Sequence, residues 1–169
     1  MAGVSELPTL ESGRVRLRPF VEADVPLFAA VIQEPSVSRW WGDDTEDELR
    51  DELIGHFAIE VDGQFAGILE AHEEATPMYP SVAIDITLST PFQHAGHGPE
   101  AIRMIVRHFI SRGHHRFTID PNVNNAAAIS AYKKVGFKPI GVARKQEQQR
   151  DGTWEDGLLM DLLADELVG

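Results

Sequence analysis

An α+β chain, a mixed sheet covered by helices, is predicted by three stretches of sequence. "SVAIDITL" at 81–88 sets Val82, Ile84, Ile86 and Leu88 on one face of a strand and Ala83, Asp85 and Thr87 on the other. Ala101, Ile102, Ile105, Val106, Phe109 and Ile110 recur at the spacing of one helical face. Asp62-Gly63 separates two strand-like runs, the signature of a type I′ hairpin.

The remaining elements follow in chain order. "RVRLRPF" at 14–20 alternates as a half-buried strand that Pro19 brings to its end, and "EADVPLFAAVIQ" continues as a helix. Thr45 and Glu48 form an S/T-x-x-E capping box ahead of Leu49 and Leu53, which opens a second helix. After the hairpin and the 81–88 strand, a helix begins at Pro99, a residue favoured at the first helical position, and Gly113 is placed to stop it. "HRFTI" reads as a strand and "NNAAAISAYKKV" as a helix stopped by Gly136. "FKPIGVARKQ" and "WEDGLLMDLL" are closing strands joined by Asp151-Gly152. The order βααβββαβαββ predicts the mixed sheet.

A chain of 169 residues, 43% of them apolar and with no Pro/Gly/Ser-rich linker, is read as one domain over 1–169. It has no cysteine, which excludes disulfides, thiolate metal sites and a cysteine nucleophile. The opening "MAGVSELPTLESG" lacks a charged region followed by an apolar core, and no apolar run approaches a membrane span, so a cytoplasmic chain is expected. Fifteen basic against 27 acidic residues give a net charge of −12. That field repels nucleic acid, which demands a basic stripe. An acidic surface serves solubility in any case; if it has a target, the target is cationic.

"QHAGHG" at 93–98 follows the 81–88 strand and precedes a helix. His94 and His97 have no third ligand close in sequence, so no metal is expected. The loop lacks the Lys-Ser/Thr of a P-loop and is too short for G-x-G-x-x-G. What remains is a glycine loop that lets backbone approach a ligand, ahead of first-turn N–H groups that attract an anion such as a pyrophosphate.

With "DPNVNNAAAISAYKKVGF" at 120–137 the chain resembles the GNAT superfamily of acetyl-CoA-dependent N-acetyltransferases. That superfamily pairs a Gln/Arg-x-x-Gly-x-Gly/Ala loop with an "N…A…Y…GF" segment, here Asn125, Ala128, Tyr132 and Gly136-Phe137. Within it the chain looks most like the aminoglycoside 6′-N-acetyltransferases, through Trp40-Trp41-Gly42, Asp85 and Asp120-Pro121. A related branch that acetylates hydroxylysine-type amines in siderophore assembly shares much of this pattern. The resemblance implies a mostly antiparallel sheet of about seven strands, with the fourth and fifth splayed, flanked by about four helices.

It also implies roles. The donor, acetyl-CoA, would be held by the backbone of Ile86, Thr87 and Leu88, by Gln93, His94, Ala95, Gly96, His97, Gly98 and Pro99, and by Asn125, Ala128 and Tyr132. Either Asn124 or Asn125 also suits a helix cap. Asp85 is the candidate base or orienting carboxylate for the acceptor amine, and Tyr132 the donor of a hydrogen bond or proton to the leaving thiolate. A polycationic small-molecule acceptor would meet the faces of Trp40 and Trp41 and the carboxylates of Glu70, Asp85, Asp120 and Asp156, with Glu155 and Asp43 as weaker choices. The chain is expected as a monomer or homodimer, without nucleic-acid or membrane partners. A peptide N-terminus is a further acceptor, and a non-catalytic CoA-binding sensor the reading from outside enzymes.

Overall fold

The computed structural model describes residues 6–169, which form eight β-strands and five α-helices. They divide into two compact units, one running up to Glu70 and including Ile86–Met104, the other combining Ala71–Asp85 with Ile105–Gly169.

The first unit holds β1 (Leu10–Ser12), β2 (Val15–Pro19), α1 (Val25–Val31), α2 (Pro35–Ser38), α3 (Glu46–Leu53) and β3 (Phe57–Val61). It also takes most of β4 (Gln64–Glu74), the end of β5 (Ser81–Leu88) and the start of α4 (His97–Ser111). Its strand order is β1-β2-β3-β4-β5, and the first three pairings are antiparallel. Seven strands and four helices were expected from sequence; β1 and α2 are the additions. Both are short, three and four residues, and neither shows a periodicity of its own. β1 exists because Gly13, at φ 57°, turns the chain so that Ser12 pairs with Val15.

Local signals elsewhere have their predicted outcome. Thr45 Oγ1 accepts from Glu48 N at 3.3 Å while Glu48 Oε2 accepts from Thr45 N at 2.7 Å, the reciprocal capping box of α3. Asp62 and Gly63 have φ of 51° and 77°, as a type I′ hairpin demands. Phe28, Ile32, Leu49, Leu53 and Ile68 pack in one apolar cluster, with Trp41 and Phe65 against it. Arg18 ties β2 to the start of α1 through a bidentate pair with the buried Asp24, at 2.7 and 2.8 Å, and the pairing drives the guanidinium pKa further up.

One feature of β4 was not among the sequence expectations. Gly67 pairs with Ile59 while Phe65 pairs with Glu60, so Ala66 is an extra residue in the ladder. Ser89 N donates to Ala66 O at 2.8 Å, and a Cβ at Gly67 would stand 2.0 Å from Thr87 O. The bulge brings the backbones of β4 and β5 together at a distance that only glycine permits.

The second unit holds the start of β5, the end of α4, β6 (Arg116–Ile119), α5 (Ala126–Val135), β7 (Lys138–Gln148) and β8 (Trp154–Leu163), with strand order β5-β6-β8-β7. β5 and β6 are parallel but share only two registered pairs, Val82↔Phe117 and Ala83↔Thr118. The β6–β8 and β7–β8 pairs are antiparallel. Gly113 ends α4 at φ 98° and Gly136 ends α5 at φ 118°, each followed by a backbone donor that reaches back into the last turn. The predicted alternation of β5 holds over its first half, where Val82 and Ile84 are buried and Ala83 and Asp85 exposed, and fades beyond it, where Ile86, Thr87 and Leu88 are all half-buried. No helix among the described residues is long and apolar enough to cross a membrane.

Gly67→Ala forces a Cβ onto the Thr87 carbonyl, a clash with backbone that no side-chain rotation relieves. Its cost is expected to reach about 3 kcal/mol, read as a lowered urea midpoint. Gly141→Ala, where a Cβ meets nothing within 4 Å, is the control and should stay within about 0.5 kcal/mol of the parent.

Candidate active site

The end of β5 and the loop after it are held by side chains from several elements of the first unit. Gln93 Nε2 donates to Leu88 O at 2.9 Å and to Ser36 Oγ of α2 at 3.1 Å. Trp41 Nε1 donates to Thr87 Oγ1 at 3.0 Å, and Ser89 Oγ donates to Glu34 Oε1 at 2.6 Å. Gln93 therefore braces the loop. Glu34 and Ser36, which sequence did not single out, are parts of the same brace.

His94 and Gly96 take left-handed backbone at φ 60° and 84°, and His94, Ala95 and Gly96 are exposed. A Cβ at Gly96 would meet no protein atom within 4 Å, so the space beside that residue is open, and one at Gly98 would meet only Leu88 Cδ1 at 3.5 Å. α4 begins at His97, two residues before the Pro99 start expected from sequence. A third-position proline is tolerated because first-turn N–H groups lack an intrahelical acceptor in any case. The N–H groups of His97 and Gly98 thus belong to that first turn and suit an anionic oxygen. Glu100 in the same turn is drawn off by Ser12 Oγ at 2.6 Å.

In the second unit, α5 presents Tyr132, which is 7% exposed and lies edge-on to Phe137 with centroids 6.3 Å apart. Burial pushes its phenol well above the usual value, and the carboxylates of Asp85 and Asp120 push it further. The strand alternation that places Asp85 and the Asp-Pro turn that places Asp120 thus act on one hydroxyl. Asp120 is itself raised by partial burial, an effect opposed by a hydrogen bond from Gln146 Nε2 to its Oδ2 at 2.9 Å. Asn125 caps α5, its Oδ1 accepting from Ala128 N at 3.2 Å, while Asn124 N is bound by Asn122 Oδ1 at 2.8 Å.

The tryptophans divide. Trp41 packs edge-on to Phe28 at 5.2 Å as part of the core, whereas Trp40 lies under the Arg39 guanidinium at 4.5 Å. Glu70 is buried, at 4% exposure. Asp156 Oδ1 accepts from Lys145 N at 2.8 Å, and Glu155 Oε2 accepts from Asn122 Nδ2 at 2.6 Å. These two carboxylates have structural partners within the β7–β8 hairpin and its neighbouring loop. Asp43 is exposed.

The chain matches the acetyltransferase (GNAT) domain over residues 14–138 and belongs to that family; it is an acetyltransferase. No curated protein sequence matches it. Among solved structures it is similar to a GNAT-family acetyltransferase from Bacillus anthracis, with 17% identity, a TM-score of 0.81, and coverage of 94% of this chain and 100% of that one. It is also similar to RimL, a ribosomal L7/L12 alpha-N-protein acetyltransferase in complex with coenzyme A (20%, 0.81, 94% and 99%). Mycobacterium smegmatis RimJ, in complex with CoA-disulfide, is a third (22%, 0.78, 96% and 88%). At these identities the likenesses carry the mixed α/β GNAT fold, here with eight strands and five helices.

Tyr132→Phe removes the hydroxyl and keeps the ring. A loss of roughly 10- to 100-fold in kcat is expected, with little change in the KM for the acetyl donor. Because the folded phenol titrates above its ordinary value of about 10, it stays protonated where a free tyrosine begins to ionise. The parent rate profile should therefore show no loss assignable to this residue up to pH ~10. A decline near pH 9 that disappears in Tyr132→Phe would overturn the assignment.

Proposed function

We propose that the enzyme transfers acetyl from acetyl-CoA to a primary amine of a cationic small molecule, and that this acceptor is an aminoglycoside with its 6′-amine as the reacting group. The observation that carries this is the pair Asp85 and Asp120, both acting on the Tyr132 phenol. They are the two acidic positions through which the sequence resembles the aminoglycoside enzymes. The net charge of −12 favours a polycation at long range.

Acetyl-CoA supplies the activated thioester. The pyrophosphate is assigned to the backbone of residues 93–98, and the pantetheine amides to the Ile86–Leu88 backbone, beyond the last β5–β6 pair at Ala83. The amine nitrogen attacks the thioester carbon, the C–S bond breaks, and the amine proton leaves through Asp85 or a water beside it. An alkyl ammonium has a pKa of about 10.4, so roughly one molecule in a thousand is neutral at pH 7. Asp85 serves chiefly to hold and orient the cation. With its phenol raised, Tyr132 is too weak an acid to transfer its proton outright to a thiolate of pKa about 8.5. Its contribution is a hydrogen bond to the departing sulfur. With no cysteine in the chain, direct attack without a cysteinyl acyl-enzyme is the route assigned.

A second acceptor class, a polypeptide N-terminus, has its own support. RimL, whose fold this chain shares, is an alpha-N-protein acetyltransferase. An α-amine of pKa about 7.7–8.0 also asks far less of a carboxylate base than an alkyl amine does. Thiol release from acetyl-CoA, followed with kanamycin, hydroxylysine and a peptide bearing a free N-terminal serine, separates the readings. Turnover of kanamycin with a product acetylated at the 6′ position is the expected result. Turnover of the peptide alone would replace the aminoglycoside reading with the second.

A further inference from the structure

β7 departs from regular pairing between Ala143↔Gly157 and Glu147↔Glu155, so three residues of β7 oppose one of β8. Within this bulge Lys145 has φ 51°, a strained conformation for a residue with a side chain, held by the hydrogen bond from its N–H to Asp156. The next residue, Gln146, sends its side chain across Gly157. A Cβ on Gly157 would lie 2.4 Å from Gln146 Nε2 and 2.5 Å from its Cδ. Beyond Gly157 the amide reaches Asp120, at 2.9 Å from Oδ2 and 3.5 Å from the backbone carbonyl. Gly157 has no left-handed backbone that calls for glycine; the crossing side chain accounts for it.

The loop that carries Asp120 is fastened to the same hairpin. Leu158 N donates to Pro121 O at 2.7 Å and Val123 N to Asp156 O at 3.0 Å. Asn122 Nδ2 donates to both Glu147 at 3.0 Å and Glu155 at 2.6 Å. The carboxylate of Asp120 is therefore aimed from outside its own loop, by a residue of the β7 bulge whose side chain crosses Gly157.

We propose that Gln146 is a positioning residue for acceptor binding: its amide crosses β8 over Gly157 and fixes the Asp120 carboxylate for the acceptor ammonium. This rests on the assignment of Asp120 to the acceptor above. The amide contributes a fixed direction for one carboxylate oxygen and a donor that favours the ionised form. A neutral donor performs this task without competing for the acceptor, as a lysine at 146 would.

The test is steady-state kinetics on the full chain with kanamycin and the seryl peptide as acceptors. Gln146→Met keeps length and volume and removes the donor. It is expected to raise the acceptor KM about tenfold, the size of one lost hydrogen bond to a charged group, while kcat and the acetyl-CoA KM change less than about threefold. Gly157→Ala should do the same, because its Cβ displaces the flexible end of Gln146 rather than backbone. In the double variant the two effects should not add. Asp120→Asn separates the failures. If it raises the acceptor KM and Gln146→Met does not, the positioning role is wrong and the Asp120 assignment stands. If it leaves the KM for both acceptors unchanged, both fall. Full additivity of Gly157→Ala and Gln146→Met would overturn the crossing as the route.

Discussion

The contact on which the donor side of the first unit depends is steric, the passage of the Thr87 carbonyl through the place where a side chain at position 67 would begin. The extra residue at Ala66 turns β4 toward β5, and the absent Cβ lets the backbones close. Everything downstream uses the position so fixed. Thr87 accepts from Trp41, Leu88 from Gln93, and Ser89 donates both to Ala66 O and to Glu34. Each of these bonds contributes on the order of 1 kcal/mol net. The steric condition is different in kind, because no rearrangement of side chains satisfies it once a methyl group is present. The loop that follows inherits its start from this point.

The same device recurs in the second unit, where Gly157 admits a side chain instead of a backbone. At position 67 an added methyl group would meet a carbonyl that cannot move without breaking the strand pairing. At position 157 it would meet the free end of a glutamine, which can swing away. The first glycine is therefore tied to stability and the second to the direction of one carboxylate. Two glycines inside strands, both beside bulges, carry different loads because of what occupies the space above them.

Local chemistry made much of this legible. The capping box at Thr45, the Asp62-Gly63 hairpin, the alternation of β5 and the stops at Gly113 and Gly136 depend on residues within a few positions of each other. β1 and α2 were missed because each forms through pairing or packing and is too short for a period to show. The partners of the candidate acidic residues were hidden for a related reason. Composition cannot tell an acid that meets solvent from one engaged by a backbone N–H, as Asp156 is, or one buried, as Glu70 is. Trp41 was legible as an exceptional residue, yet its place against Phe28 depends on a helix many residues away. A usable signal for the unforeseen residues did exist. "FAGIL" and "EDGLL" each carry one glycine inside a strand-like run, a pattern that marks a bulge or a close approach. What the pattern lacks is the identity of the approaching group.

Two carboxylates that act on a buried phenol work against both halves of acetyl transfer in the unliganded site. Burial raises the phenol, and Asp85 and Asp120 raise it further, which makes it a poorer proton donor. On the proposed reading they also favour the acceptor as ammonium, which makes it a poorer nucleophile. Both effects belong to the state without a cation. An ammonium bound beside the carboxylates would offset their field at the phenol and leave burial, the larger cause of its raised pKa, in place. On the proposed reading, the departing thiolate would then meet a stronger hydrogen-bond donor than the unliganded site contains. The remaining penalty falls on deprotonation of the amine, and it scales with the acceptor's own pKa. An α-amine near 8 carries little of it, and an alkyl amine near 10 carries about two further units, close to 3 kcal/mol. On this reading, the enzyme accepts the second class of amine only by binding it well enough to offset that difference. For a polycation, further charges that meet a chain of net charge −12 are a source of such binding.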